Sequence, residues 1–139
     1  MILVVDTNVV ISAALRGSTT QELIFNNAFQ LYTPEFVKEE IEKYKNEIMQ
    51  KGNYTETEFQ TILSLIFSRI TIVPENEYAK HKEEILKFTP DVKDWPFLAL
   101  AKHLGAALWT YDSIIKRKQN VIKIFTTGQL FRLLRGEEL

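Results

Sequence analysis

Short strand-like apolar runs alternate along this chain with longer helical stretches, and that alternation restricts the fold more than any other feature. Ile2–Val5, Leu31–Thr33, Arg69–Val73, Ala107–Tyr111 and Val121–Phe125 read as strands. Helical patterning covers roughly 8–15, 20–28, 34–50, 55–67, 75–87, 96–104 and 126–135. Strands and helices in turn predict an α/β domain with a largely parallel sheet. The runs "ILVV" and "AALWTY" carry almost only apolar or small residues, as central strands covered on both faces do. No linker, repeat or low-complexity segment divides the 139 residues, so one domain over 1–139 with a proper hydrophobic core is expected. The stretch "QKGNYTETE" (50–58) reads as a surface turn, with Thr55 and Glu58 in a capping-box pattern ahead of the next helix.

Composition removes several classes of function. Without cysteine, disulfides, thiolate metal sites and Cys-based catalysis are excluded. A formal charge of −1 gives no global attraction to nucleic acid, so any such binding needs a local patch. The longest apolar runs are too short to span a bilayer. Strand sequence begins at residue 2 with no basic leader and no cleavage site, from which a cytoplasmic protein is expected.

The informative residues are acidic. In open parallel sheets, binding sites gather at the carboxyl ends of the strands. Asp6 follows "ILVV" and Asp112 follows "ALWTY". If those strands are neighbours, the two carboxylates face one crevice and repel, and one titrates high unless a cation shares the site. Hard oxygen ligands suit Mg²⁺ or Mn²⁺. The alternative is that each aspartate caps a following helix. A single aspartate favours the cap, and two at equivalent strand ends favour a site.

Further carboxylates lie within reach. On the helix "TPEFVKEEIEKYKNEI" (33–48), Val37, Ile41, Tyr44 and Ile48 form the apolar stripe, Glu40 flanks it and Glu39 points nearly opposite. Both glutamates also read as plain solubilising charges. The stretch "PDVKDWPFLALAKHLGA" (90–106) sets Asp91 and Asp94 at the head of a buried helix, with Pro96 near its start. Either aspartate can serve as a cap or favour the positive helix end.

Taken together, Asp6-Thr7-Asn8 after the first strand, Glu40 on the third helix, "DVKDWPFLALA" and "WTYD" resemble a PIN domain, of the VapC type in particular. The tail "VIKIFTTGQLFRLL" (121–134) resembles the closing strand and helix of that family, so the likeness covers nearly the whole chain. The resemblance implies a three-layer α/β/α sandwich and a metal-dependent endoribonuclease, leaving 5'-phosphate and 3'-hydroxyl ends. It implies an acidic site of Asp6, Glu40, Asp94 and Asp112. Asp6, Asp94 and Asp112 would be direct or water-mediated ligands of Mg²⁺ or Mn²⁺, and Glu40 a ligand or an orienter of water. Asp91 matches an extra acid of some members, and Asn8 and Thr110 match small polar positions that orient the acids. VapC-type relatives imply a homodimer and a small antitoxin partner, with RNA as substrate.

Other residues carry weaker readings. Lys116, Arg117 and Lys118, with Lys123 nearby, can contact RNA phosphates or form a solvated surface run. Arg16 and Ser18 are further candidates for the groove. His81 and His103 lack metal-ligand spacing and read as surface positions, while Trp95 and Trp109 read as packing residues. Competing classes fit less well. A haloacid-dehalogenase-like enzyme needs a second aspartate where Asn8 stands, and a receiver domain carries its phosphate acceptor on a later strand. A non-catalytic PIN-like scaffold or RNA-binding module would lack acids that are all present here.

Overall fold

Along β1 (Ile2–Val5), Leu3 and Val5 enter one hydrophobic cluster and Val4 enters another. Successive strand side chains point to opposite faces, so an unbroken apolar run is what a strand covered on both sides requires. In the computed structural model, which describes residues 1–15, 17–89, 91–112, 115 and 119–138, β1 is the middle of a five-stranded sheet. Its partners are β2 (Gln30–Pro34), β3 (Ile70–Val73), β4 (Ala107–Trp109) and β5 (Ile124–Phe125), in the order β3-β2-β1-β4-β5. Every pairing is parallel.

Helices cover both faces. On one side lie α1 (Thr7–Ala14), α2 (Thr20–Ile24), α3 (Phe36–Gly52), α4 (Glu56–Phe67) and a closing helix (Thr127–Leu134). On the other lie α5 (Glu75–Tyr78), α6 (Lys82–Leu86) and α7 (Trp95–Leu104). The result is the expected α/β/α sandwich. Trp109 is fully buried on the first side, while Trp95 packs on the second against Tyr78 with ring centroids 5.7 Å apart. Both tryptophans are packing residues, as their sequence context suggested. Among the described residues no helix is long and apolar enough to cross a membrane.

Local chemistry explains where the elements stop short of the sequence pattern. The second helix ends at Ile24, because Asn26 turns the chain by accepting from the Ala28 N–H and Arg69 takes the carbonyls of Ile24 and Asn26. The last strand shrinks to two residues because the Gln119 amide accepts from the N–H groups of Val121 and Ile122 and donates to the Ile122 carbonyl. Those backbone groups are thereby lost to the ladder. The expected helix over 75–87 is broken by a 3-10 turn at Ala79–His81, with no glycine or proline to announce it. The Thr55–Glu58 capping box is present, with both of its hydrogen bonds formed.

Strand order places the functional crevice. The chain winds from β1 outward to β2 and β3, then crosses back to β4 on the other side of β1. The carboxyl ends of β1 and β4 are therefore the topological switch point, where the loops diverge and leave a cleft.

Candidate active site

Val5 pairs with Trp109 across β1 and β4, and the Asp6 N–H continues the ladder to the Trp109 carbonyl at 3.0 Å. Asp6 and Thr110 are thus neighbours at the strand ends. The Thr110 hydroxyl donates to Asp6 Oδ2 at 2.6 Å and accepts from the Asp112 N–H at 3.0 Å. Asn8 adds a second link, donating to Thr110 Oγ1 at 3.3 Å and to Asp6 Oδ2 at 3.4 Å, while its Oδ1 accepts from the Tyr111 N–H. Asp6 is also the N-cap of α1, accepting from the Thr7 N–H at 2.7 Å. Cap and site are one arrangement here: the bond that starts α1 aims the carboxylate.

Thr7 and α3 bring the next acid. Glu40 Oε1 accepts from the Thr7 hydroxyl at 2.5 Å, and the residue is half-buried. Glu39 is exposed and borders a different cleft, with Glu35, Lys38 and Glu75. Tyr44 departs from the expected stripe: Val37, Ile41 and Ile48 are buried, whereas Tyr44 is 44% exposed. At its level the helix overhangs the cleft, so the ring borders open space instead of a packed neighbour.

Asp94 heads α7 without a side-chain capping bond, and Asp91 accepts from the Lys93 N–H to cap the 3-10 turn Val92–Asp94. Asp6, Glu40, Asp91, Asp94 and Asp112 line one cleft of about 250 Å³, together with Thr7, Asn8, Ile11, Tyr44 and Lys93. Thr110 lies behind it, almost wholly buried. Lys93 is the single cation among the described lining residues. Lys116, Arg117, Lys118 and Arg16 fall outside the described residues.

Electrostatics follow from this crowding. Burial pushes the Asp6 carboxyl up to about 6, with Glu40 and Asp112 adding repulsion and the bonds from Thr110 and Thr7 opposing the rise. Asp94 rises to about 7, through burial first and then through the charges of Asp6, Asp91, Asp112 and Glu40. The acids offer only hard oxygen, and the charged forms of Asp6 and Asp94 are disfavoured until a cation joins them, which suits a small divalent ion. Among the described residues no three of these side chains are already gathered as the ligands of one ion.

Several participants carried no distinct sequence signal. Thr7, which holds Glu40, is hidden within the "DTN" stretch, and Lys93 sits between two acids. Tyr111 is a further participant without such a signal. Its hydroxyl meets Thr20 Oγ1 at 2.5 Å and Ser12 Oγ at 3.4 Å, and Ser12 in turn meets Ser18 at 3.5 Å. Burial raises the Tyr111 phenol, but bonds with Ser12, Thr127 and Thr20 outweigh it and leave the phenol below its ordinary value. His81 and His103 lie apart from the cleft, half-buried and against each other with ring centroids 5.7 Å apart, instead of separately on the surface.

A parallel sheet whose switch point is ringed by carboxylates defines a class of α/β proteins with an acidic crevice at the strand ends. Residues 4–118 match the family model of the PIN domain, and the chain belongs to that family. Among solved structures, VapBC2 from Rickettsia felis, bound to a DNA fragment from their promoter, is similar with a TM-score of 0.64. That match has 18% identity and covers 91% of this chain and 98% of that one. PAE2754 from Pyrobaculum aerophilum is similar with a TM-score of 0.71 and 14% identity, over 97% of this chain and 90% of that one. No curated protein matches the sequence.

Proposed function

We propose that this PIN protein, a single nuclease domain over 1–139, is a metal-dependent endoribonuclease that hydrolyses phosphodiester bonds of single-stranded or structured RNA. The observation that carries the reading is the convergence of Asp6, Glu40, Asp94 and Asp112 on one cleft, with two of them held far above the usual carboxylate range. Asp6, Asp94 and Asp112 would hold Mg²⁺ or Mn²⁺, with Asp91 as an auxiliary acid. When bound, the ion supplies Lewis acidity toward the phosphate and toward water, and offsets the charge that develops on phosphorus oxygens.

The remaining work falls to side chains. Thr110 and Asn8 fix the Asp6 carboxylate and the backbone that leads to Asp112. Glu40, steadied by Thr7, orients the attacking water and accepts its proton. The water oxygen bonds to phosphorus as the P–O3' bond breaks, and the leaving oxygen takes up a proton to give the 3'-hydroxyl. Lys93, in the lining of the cleft, offers the phosphate a positive charge, and the basic run Lys116, Arg117 and Lys118 that follows Asp112 in the sequence would supply further phosphate contacts.

On this reading the chain is the toxin of a toxin–antitoxin pair, a cytoplasmic homodimer neutralised by a small antitoxin; the fold likeness to VapBC2 supports the antitoxin partner. A small protein that co-purifies with the chain is the expected sign; a chain that always purifies alone and active points to a stand-alone processing nuclease. Incubating the protein with labelled single-stranded RNA should give cleavage with Mn²⁺ and none with EDTA. Cleavage that persists in EDTA rules out the metal-dependent reaction. Absence of cleavage across varied RNAs favours a non-catalytic scaffold or RNA-binding module.

A further inference from the structure

Tyr111 precedes Asp112 and its N–H bonds Asn8, two residues that line the carboxylate cleft, so its backbone adjoins the cleft although the residue is not itself in the lining. It is held at two points. Its N–H donates to Asn8 Oδ1 at 3.2 Å, and its hydroxyl is tied to Thr20 at 2.5 Å and to Ser12 at 3.4 Å. Thr20 is 1% exposed, so the anchor belongs to the core. The residue is nevertheless 45% exposed. A phenol oxygen is a small part of a tyrosine's surface and here it is engaged, so the open area includes the ring. A ring fixed at its tip and partly open to solvent, on a residue whose backbone adjoins the cleft, offers an aromatic face with little rotamer freedom left to lose.

We propose that Tyr111 is a stacking platform for one unpaired nucleobase of an RNA strand, the base next to the phosphate that enters the acidic cleft. The proposal rests on the nuclease reading above. Stacking on an aromatic face accepts any base, because every base has a π-face. Tyr111 therefore favours single-stranded RNA over duplex without selecting a sequence. Trp95 and Trp109 are excluded from the role by burial. Tyr44, 44% exposed and at the cleft wall, is the rival aromatic.

The test is kcat/KM with Mn²⁺ for a single-stranded RNA and for copies carrying an abasic nucleotide at each position in turn. For the unaltered chain, one abasic position beside the cleaved bond should lower kcat/KM by about 5- to 150-fold, the range for one stacked base. Tyr111→Leu should lose the same factor on intact RNA and show no further loss on the abasic copy. Tyr111→Phe should keep the abasic penalty, since the ring remains. An undiminished penalty in Tyr111→Leu, or its disappearance in Tyr44→Leu instead, overturns the proposal. So does a Tyr111→Phe protein as impaired as Tyr111→Leu, which would reduce the residue to a hydroxyl tether. If the unaltered chain cleaves no RNA, the nuclease reading falls and takes this proposal with it. Cleavage that ignores Tyr111 removes the proposal alone.

Discussion

Asp6 and Asp112 leave two adjacent parallel strands, and their roles separate by substitution. Asp6→Asn and Asp112→Asn should each abolish RNA cleavage. Their thermal stability in EDTA should be unchanged or higher, because each removes one charge from a crowded anionic cleft; an active Asp6→Asn protein would reduce that residue to its cap. Glu40→Gln should lower turnover by at least about a hundredfold, the scale for one lost acid–base group. Glu39→Gln should leave activity nearly unaltered and shift stability by no more than about 0.5 kcal/mol. Steady-state kinetics and urea melts read both, and the reverse pattern would mean that Glu40 does not serve the cleft. Thr110→Val strips the hydroxyl that donates to Asp6 Oδ2, at a cost of about 1–3 kcal/mol in an equally buried position. At this scale the sequence was partly legible. Asp6, Glu40, Asp91, Asp94 and Asp112, which line one cleft, each carry a positional signal: the aspartates follow apolar strands or head a helix, and Glu40 flanks the apolar stripe of its own. The hydrogen bonds of Thr7 to Glu40 and of Tyr111 to Thr20 carry no such signal, since a hydroxyl's partner is chosen by tertiary contact and leaves no spacing behind.

Among the elements, α7 shows best how local sequence and fold agree. Pro96 lies in its first turn, its body "FLALA" is buried, and Gly105 ends it at φ 64°. A Cβ at Gly105 would meet nothing within 4 Å, so only the left-handed backbone resists substitution. Gly105→Ala should therefore cost about 1 kcal/mol in equilibrium unfolding; a neutral result would mean that the helix end relaxes to another turn. The order of strands and helices was readable from alternation, and most helix bounds agree within about two residues. The shortened second helix and last strand share a cause. Gln119, Asn26 and Arg69 use side chains to take backbone groups that periodicity would assign to a strand or a helix. Tyr44 fails for the complementary reason, because a helical wheel shows which face is apolar but not whether an element or a cleft lies opposite it.

For the whole molecule, the raised carboxyls become a stability profile. Asp6 near 6 and Asp94 near 7 hold their protons in the folded chain at a pH where an unfolded aspartate, near 4, has lost them. Between those values the folded state binds more protons, so these two groups make metal-free protein less stable as pH rises from about 4 to about 7. Asp94→Asn should flatten that slope in metal-free thermal melts, and an unaltered slope would place the titration elsewhere. A divalent ion in the same cleft competes with those protons, and by binding only the folded state it raises stability. Calorimetric titration of Mn²⁺ at pH 8 and at pH 5.5, on the unaltered chain and on Asp6→Asn, Asp94→Asn and Asp112→Asn, measures this directly. Saturable binding that weakens at the lower pH and is lost in each variant is the predicted result. Binding of equal strength in chain and variants, or no binding by the unaltered chain at either pH, would contradict a cation site built from the acids at the ends of β1 and β4.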